Sequence, residues 1–180
     1  MDETEVAQLV SESLGGSQDS FEKLLTLYEK PIFNAAYRIL NNYEDARDAT
    51  QNAFIKIYEN LENFDSGHRF FSWVYRIAIN EAINMRTARR PAGDLDTATG
   101  LKESNTPERA LSRSELDELI QTALMSLEIQ YRVVVVLRHF LDFSYRDIGG
   151  ILEIPEKTVK SRLFTARNLM RETLSTKGAL

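Results

Sequence analysis

The chain contains no cysteine, which excludes a disulfide framework, a thiolate metal site and a thiol nucleophile. That absence is neutral about compartment but fits a reducing cytosol, and a cytoplasmic protein is the expectation. Glycine and proline are scarce, 8 and 4 in 180 residues, and long stretches carry neither, which favours helices over a turn-rich β fold. Apolar runs are short. Residues 133–137 form one of the longest, so no membrane insertion is expected. Residues 1–20 are acidic and polar and do not read as a signal peptide. The two histidines, His68 and His139, have no partner at metal-ligand or triad spacing. Gly15-Gly16 and Gly149-Gly150 lack a phosphate-loop pattern, and the carboxylates of 44–48 lie beside Arg47, as in a surface network. The expectation is a protein without catalytic residues, metal or cofactor.

What is present is helical periodicity over an ample apolar fraction, 43%, too high for a disordered chain. The pattern predicts helices near 3–14, 19–40, 43–61, 69–90, 107–126, 128–141, 144–152 and 156–174. Pro31 is expected to kink or split the second, because it removes a backbone donor inside the helix. Gly15-Gly16 ends the first, and Arg90-Pro91-Ala92-Gly93 stops the fourth. The polar, aperiodic stretch at 91–106 reads as a flexible linker. The predicted fold is all-α, with a helical domain at 1–90 and a smaller one at 107–180.

Net charge is −5, which argues against a non-specific nucleic-acid coat but not against a local basic face. The charge is unevenly distributed. Lys157, Lys160, Arg162, Arg167, Arg171 and Lys177 face only Glu156 and Glu172 in their segment. Arg69, Arg76, Arg86, Arg89 and Arg90 face only Glu81. Two basic islands in an acidic chain point to two nucleic-acid contacts.

The second domain carries the sharper signal. Ser144 is placed as an N-cap with Asp147 three residues on, a capping box. Ile148, Ile151 and Leu152 supply an apolar face, Glu153-Ile154-Pro155 breaks the helix, and a longer basic helix follows. This is a helix-turn-helix pattern. At 100° per residue, Val159, Leu163, Ala166 and Met170 share one face, with Leu174 beside them. Lys157, Lys160, Ser161, Phe164, Asn168 and Arg171 share the other, which suits a major groove, where Lys and Asn bond base edges and Phe touches a thymine methyl. A solvated charged face is the plainer alternative, and Phe164 in its middle argues against it. Gly149-Gly150 conflicts locally with the helix, and close helix-helix approach is one reason for small residues there.

In the first domain, Arg69, Ser72, Arg76, Asn80, Asn84 and Thr87 line one side of the fourth helix. Phe71, Val74, Ala78, Ala82 and Met85 line the opposite side as expected core. Trp73 lies at the edge of the polar stripe, where an aromatic beside Arg and Asn suits unpaired bases. Most of Phe64, Phe70, Trp73 and Tyr75 read as ordinary core. On the preceding helix, Asp48, Gln51, Asn52 and Lys56 share a face opposite Ala49, Ala53, Ile57 and Leu61.

These residues carry a family resemblance. Asp45-Ala46-Arg47-Asp48-Ala49-Thr50-Gln51-Asn52-Ala53-Phe54-Ile55-Lys56 resembles the region 2.2 signature of sigma factors. Phe70-Phe71-Ser72-Trp73-Val74-Tyr75-Arg76-Ile77-Ala78-Ile79-Asn80 resembles regions 2.3 and 2.4 of the extracytoplasmic-function (ECF) group of the sigma-70 family. Ser144-Tyr145-Arg146-Asp147-Ile148 and Thr158-Val159-Lys160-Ser161-Arg162-Leu163-Phe164-Thr165-Ala166-Arg167 resemble its region 4. The likeness spans about 19–90 and 107–174, with the motifs in order.

The resemblance implies a specificity subunit of bacterial RNA polymerase, serving a stress or envelope-response regulon. Its region 2 bundle would bind the clamp helices of the largest polymerase subunit through Asp45, Asp48, Gln51, Asn52, Ile55 and Lys56. Phe64, Arg69, Trp73, Arg76, Asn80 and Asn84 would melt the −10 element and hold a flipped non-template base, with Asn80 and Phe64 foremost. Region 4 would place Lys157, Thr158, Lys160, Ser161, Phe164, Asn168 and Arg171 in the major groove of the −35 duplex and touch the polymerase flap. An anti-sigma factor is an expected partner. Asn52 stands where the family commonly has Glu, Thr165 where it commonly has Arg, and Gly149-Gly150 where it commonly has small residues dominated by Ala. The main alternative is a stand-alone helix-turn-helix regulator with an N-terminal sensing or dimerisation domain, which would bind duplex DNA tightly alone. A second is a polymerase adaptor that reads no DNA.

Overall fold

The computed structural model describes residues 3–65, 67–88 and 115–176. All regular structure among them is helical. The first domain comprises α1 (Glu3–Leu14), α2 (Gln18–Leu40), α3 (Tyr43–Glu59), a single 3-10 turn (Leu61–Asn63) and α4 (Phe70–Ala88). The second comprises α5 (Glu115–Met125), α6 (Ile129–Val135) with a π turn (Val136–Phe140), α7 (Tyr145–Leu152) and α8 (Glu156–Thr176). The expected linker at 91–106 and the start of the helix expected at 107 lie outside the described residues.

Short polar punctuation sets the turns. Gly16, at φ +93°, turns the chain after α1, a conformation open to glycine at little cost. Ser17 then caps α2, its side chain accepting from the Ser20 backbone N–H. Asn41 adopts the left-handed conformation at the end of α2, and Asn42 caps α3 by accepting from the Asp45 N–H. Two adjacent asparagines thus make the α2–α3 corner, each in a role its short amide side chain suits.

α2 is the central helix of the first domain and packs on α1, α3 and α4. It runs unbroken through Pro31, so the expected split does not occur. Burial of Leu24 and Tyr28 before the proline and of Ile32, Ala35, Ala36 and Ile39 after it holds the helix together, and tertiary packing overrides the local penalty. Ala46, Ala49, Ala53 and Ile57 of α3, then Leu61, face this core. From α4 come Val74, Ala78 and Ala82, joined by Phe70, Tyr75 and Ile79.

In the second domain the 133–137 run is buried throughout, packed against α8, α7 and α2 of the first domain. The two domains are packed together, and their buried apolar residues form one continuous cluster. Among the described residues no helix is long and apolar enough to cross a membrane.

Candidate polymerase and nucleic-acid interfaces

Three surfaces carry the residues singled out above. The first is the outer face of α3. Asp48, Gln51, Asn52, Ile55 and Lys56 are all exposed, and their spacing puts them on one side of the helix. Ile55 is 54% exposed, an apolar side chain set among amides and charges. Lys56 pairs with Glu81 of α4, and Arg47 with Glu44 and Asp48. Asp45 does not share this face. It is buried at the start of α3, where a carboxylate also favours the positive end of the helix dipole. Tyr58, 62% exposed and edge-on to Phe21 at 5.0 Å, extends the exposed face one turn beyond Ile55. The i, i+3 spacing from Ile55 was its only sequence signal.

The second surface is α4 and the loop before it. Phe64, Phe70 and Trp73 form one aromatic cluster, with ring centroids 5.2–5.7 Å apart. Phe64 and Trp73 are half-buried there, so each offers only part of its ring to solvent. Asn80 and Asn84 are exposed further along the helix. Arg69 and Arg76 are both engaged by α7. The Arg69 guanidinium donates to Asp147 at 3.1 Å and lies over the Phe71 ring at 4.6 Å. Arg76 donates to Glu153 at 2.9 Å and to the Gly150 carbonyl at 3.3 Å. Phe71, expected as core, is instead half-buried against Phe143 of the second domain, at 5.3 Å.

The third surface is the helix-turn-helix. Ser144 and Asp147 complete the capping box in both directions. Glu153 ends α7 in the left-handed conformation, at φ 54°. The Ile154 N–H returns to the Gly149 carbonyl at 3.1 Å, which brings the Ile154 carbonyl to 2.9 Å from where a Cβ on Gly149 would sit. The close approach expected at the glycine pair is therefore made by the turn itself and only at Gly149; Gly150 has open space.

α8 then buries Val159, Leu163 and Ala166 and packs Met170 against the same core. Its outward face exposes Lys157, Lys160, Ser161, Phe164 and Arg171, with Thr158 and Asn168 half-buried. Phe164 is 67% exposed. Lys160 donates to Glu156 at 2.8 Å, and that hydrogen bond, reinforced by the carboxylate's charge, holds its ammonium above the ordinary lysine range. Lys160 also approaches the Tyr145 ring of α7, at 5.7 Å.

One buried residue escaped the sequence pattern. Arg132, 3% exposed, donates to the carbonyls of Leu124, Met125 and Leu127 at the end of α5 and to that of Ile39 in α2. Its position just before an apolar run was the only hint that it is enclosed.

Taken together, these elements define a two-domain, all-helical protein with a capped helix-turn-helix. Residues 24–91 match the Sigma-70 region 2 family and residues 117–170 the Sigma-70 region 4 family. The chain is 35% identical over 170 residues to the ECF RNA polymerase sigma factor SigW of Bacillus subtilis, covering 88% of this chain and 91% of that protein. It is 35% identical over 178 residues to the RNA polymerase sigma-H factor of Pseudomonas aeruginosa, covering 93% and 92%. To the ECF RNA polymerase sigma-E factor of Escherichia coli K12 it is 33% identical over 170 residues, covering 88% of each. In fold it is similar to CnrH, solved in complex with the cytosolic domain of CnrY, with a TM-score of 0.73, 22% identity and 97% of each chain covered. It is also similar to the sigma factor RpoE of Bartonella quintana, solved with the anti-sigma factor NepR, with a TM-score of 0.67, 24% identity and coverage of 86% and 96%. The chain belongs to the sigma-70 family, and within it to the extracytoplasmic-function RNA polymerase sigma factors. Its two helical domains are the family's regions 2 and 4, and its class is that of a transcription initiation factor.

Proposed function

We propose that this sigma factor divides its work among the three surfaces. The α3 face, with Asp48, Gln51, Asn52, Ile55 and Lys56 and extended by Tyr58, docks on core polymerase; Asp45 supports that helix from inside. α4 opens the −10 element. Arg69 and Arg76 engage the backbone, Asn80 and Asn84 read an unpaired base, and the exposed parts of Phe64 and Trp73 supply aromatic surface for stacking. Unstacking a base costs a few kcal/mol, which a pocket and stacking offset. α8 enters the −35 major groove with Lys157, Thr158, Lys160, Ser161, Phe164, Asn168 and Arg171.

The observation that carries this reading is the outward face of α8, where Phe164 stands exposed among Lys157, Lys160 and Arg171. An apolar ring held in water beside cations fits a groove that offers phosphates and thymine methyls together. The protein has no catalytic role of its own and acts in the cytoplasm, where polymerase and promoter are. The solved neighbours bound to CnrY and NepR support an anti-sigma factor as the third partner, and the extracytoplasmic-function group supports a stress or envelope regulon.

Run-off transcription from genomic templates with core polymerase, with and without this protein, tests the reading. Promoter-dependent stimulation is the expected result, and its absence on every template sinks it.

A further inference from the structure

The leading end of α8 carries an acid where the helix is otherwise basic. Glu156 is the first residue of α8 and is exposed. The other acid of the helix, Glu172, stands in its last turns. Glu156 is not required as a cap, because the Pro155 carbonyl accepts from the Thr158 and Val159 N–H groups at 2.8 and 3.2 Å. A first-turn acid and an exposed i, i+4 pair each stabilise a helix only slightly. The N-terminal residues of a recognition helix are the ones that reach base edges. A carboxylate there repels phosphates, so it costs affinity on every sequence that offers it no donor.

The major groove narrows the choice of donor. A carboxylate only accepts hydrogen bonds and an ammonium only donates them. Cytosine presents its N4 amine alone, whereas adenine sets the acceptor N7 beside its amine. Guanine presents the acceptors O6 and N7. In Glu156 and Lys160 an acceptor and a donor are already joined, with Nζ to Oε1 at 2.8 Å. The cytosine amine and guanine O6 of one base pair are joined by a hydrogen bond of about the same length, ~2.9 Å. The protein pair therefore matches the edge of a C·G base pair in both spacing and polarity.

We propose that Glu156 is a specificity-determining residue of the −35 reader. With Lys160 it reads one C·G base pair, the carboxylate accepting from the cytosine amine and the ammonium donating to guanine. The proposal rests on the −35 assignment of α8 made above. The Tyr145 ring of α7 lies 5.7 Å from the Lys160 ammonium and gives the pair a second anchor, which lowers the entropy lost on binding. Because Glu156 offsets the charge of Lys160, this end of α8 supplies discrimination and little of the non-specific attraction to phosphates.

Holoenzyme formed from core polymerase and the full chain, transcribing a promoter library randomised at the −35 element, tests the proposal by sequencing of the products. The parent should prefer C·G at one position by about tenfold or more. Glu156→Ala should remove that preference and leave the other positions unchanged. Glu156→Gln should move it toward A·T, since an amide bonds adenine N6 and N7 together. No C·G preference in the parent, or the same preference in Glu156→Ala, overturns the proposal.

Glu156→Ala also frees the charge of Lys160. Holoenzyme binding to duplex without a promoter should tighten, and its logarithmic salt slope should steepen by about one. An unchanged slope overturns the joint role of the two side chains. Phe164→Ala on the same library separates the two levels of the argument. If Phe164→Ala alters −35 preference and Glu156→Ala does not, the role of Glu156 fails and the −35 assignment of α8 stands. If neither alters it, both fail.

Discussion

The Arg132 guanidinium donates to the Ile39 carbonyl at 2.7 Å, joining the last turn of α2 in region 2 to a buried cation in region 4. The same guanidinium satisfies the carbonyls of Leu124, Met125 and Leu127. The end of a helix leaves carbonyls without intrahelical partners, and a cation suits the negative end of its dipole. One side chain thus finishes α5 and reaches α2.

Arg132→Met keeps much of the volume and removes every donor. The buried carbonyls left behind should lower stability by about 2–5 kcal/mol. Urea unfolding of the full chain measures it. A loss below about 1 kcal/mol would mean that water replaces the guanidinium at these carbonyls.

The glycine pair of α7 makes a contrast within one dipeptide. A Cβ on Gly149 would meet the Ile154 carbonyl at 2.9 Å, whereas one on Gly150 meets nothing within 4 Å. Gly149→Ala should destabilise by about 1–3 kcal/mol, since the turn backbone must shift to admit it. Gly150→Ala should stabilise by up to about 1 kcal/mol through helix propensity. Thermal melts of the two variants should move in opposite directions, and a shift of the same sign in both would refute the turn geometry.

The contrast marks where the sequence was legible. Periodicity placed the helices and the buried stripe of α8, because those follow from spacing along one element. The capping box at Ser144 and Asp147 was equally local. What spacing could not reveal was contact between elements. Gly149's neighbour is a carbonyl five residues on, across a turn. Arg132 and Phe71 look like surface and core positions of their own helices until the other domain is in place. Asp45 reads as one more exposed acid of α3, and only the packing buries it. Pro31 misled for the same reason in reverse, since its local penalty is set against buried residues on both sides.

His139 links pH to stability. Partial burial, then the charges of Arg167 and Arg138, hold its imidazole below the ordinary histidine range. The folded protein therefore takes up that proton less readily than the unfolded chain, and stability rises with pH. The contribution is complete above the unfolded value of about 6.5 and is lost as pH falls through the lowered folded value. His139→Gln should flatten the fall in unfolding free energy between about pH 7 and about pH 5, as read from urea midpoints. An equal slope in both proteins would show that other groups set it.

Recognition at the two promoter elements should separate cleanly by residue. Phe164 and Lys160 are exposed, and the Lys160–Glu156 pair is an exposed one, so Phe164→Ala and Lys160→Ala should leave stability within about 0.5 kcal/mol of the parent. Each should weaken use of the −35 element, by about 1–3 kcal/mol where a base-edge contact is lost. Arg171 stands near the far end of the exposed α8 face; as a phosphate contact, its loss in Arg171→Ala should weaken binding on all sequences alike and lower the salt dependence. Asn80→Ala should impair −10 discrimination while core polymerase binding is retained, because Asn80 belongs to α4 and is not one of the exposed α3 residues. Transcription from promoters mutated at one element at a time reads all four. Unchanged −35 preference in both Phe164→Ala and Lys160→Ala would put recognition on another face of α8. Loss of core binding in Asn80→Ala would make that amide a structural residue.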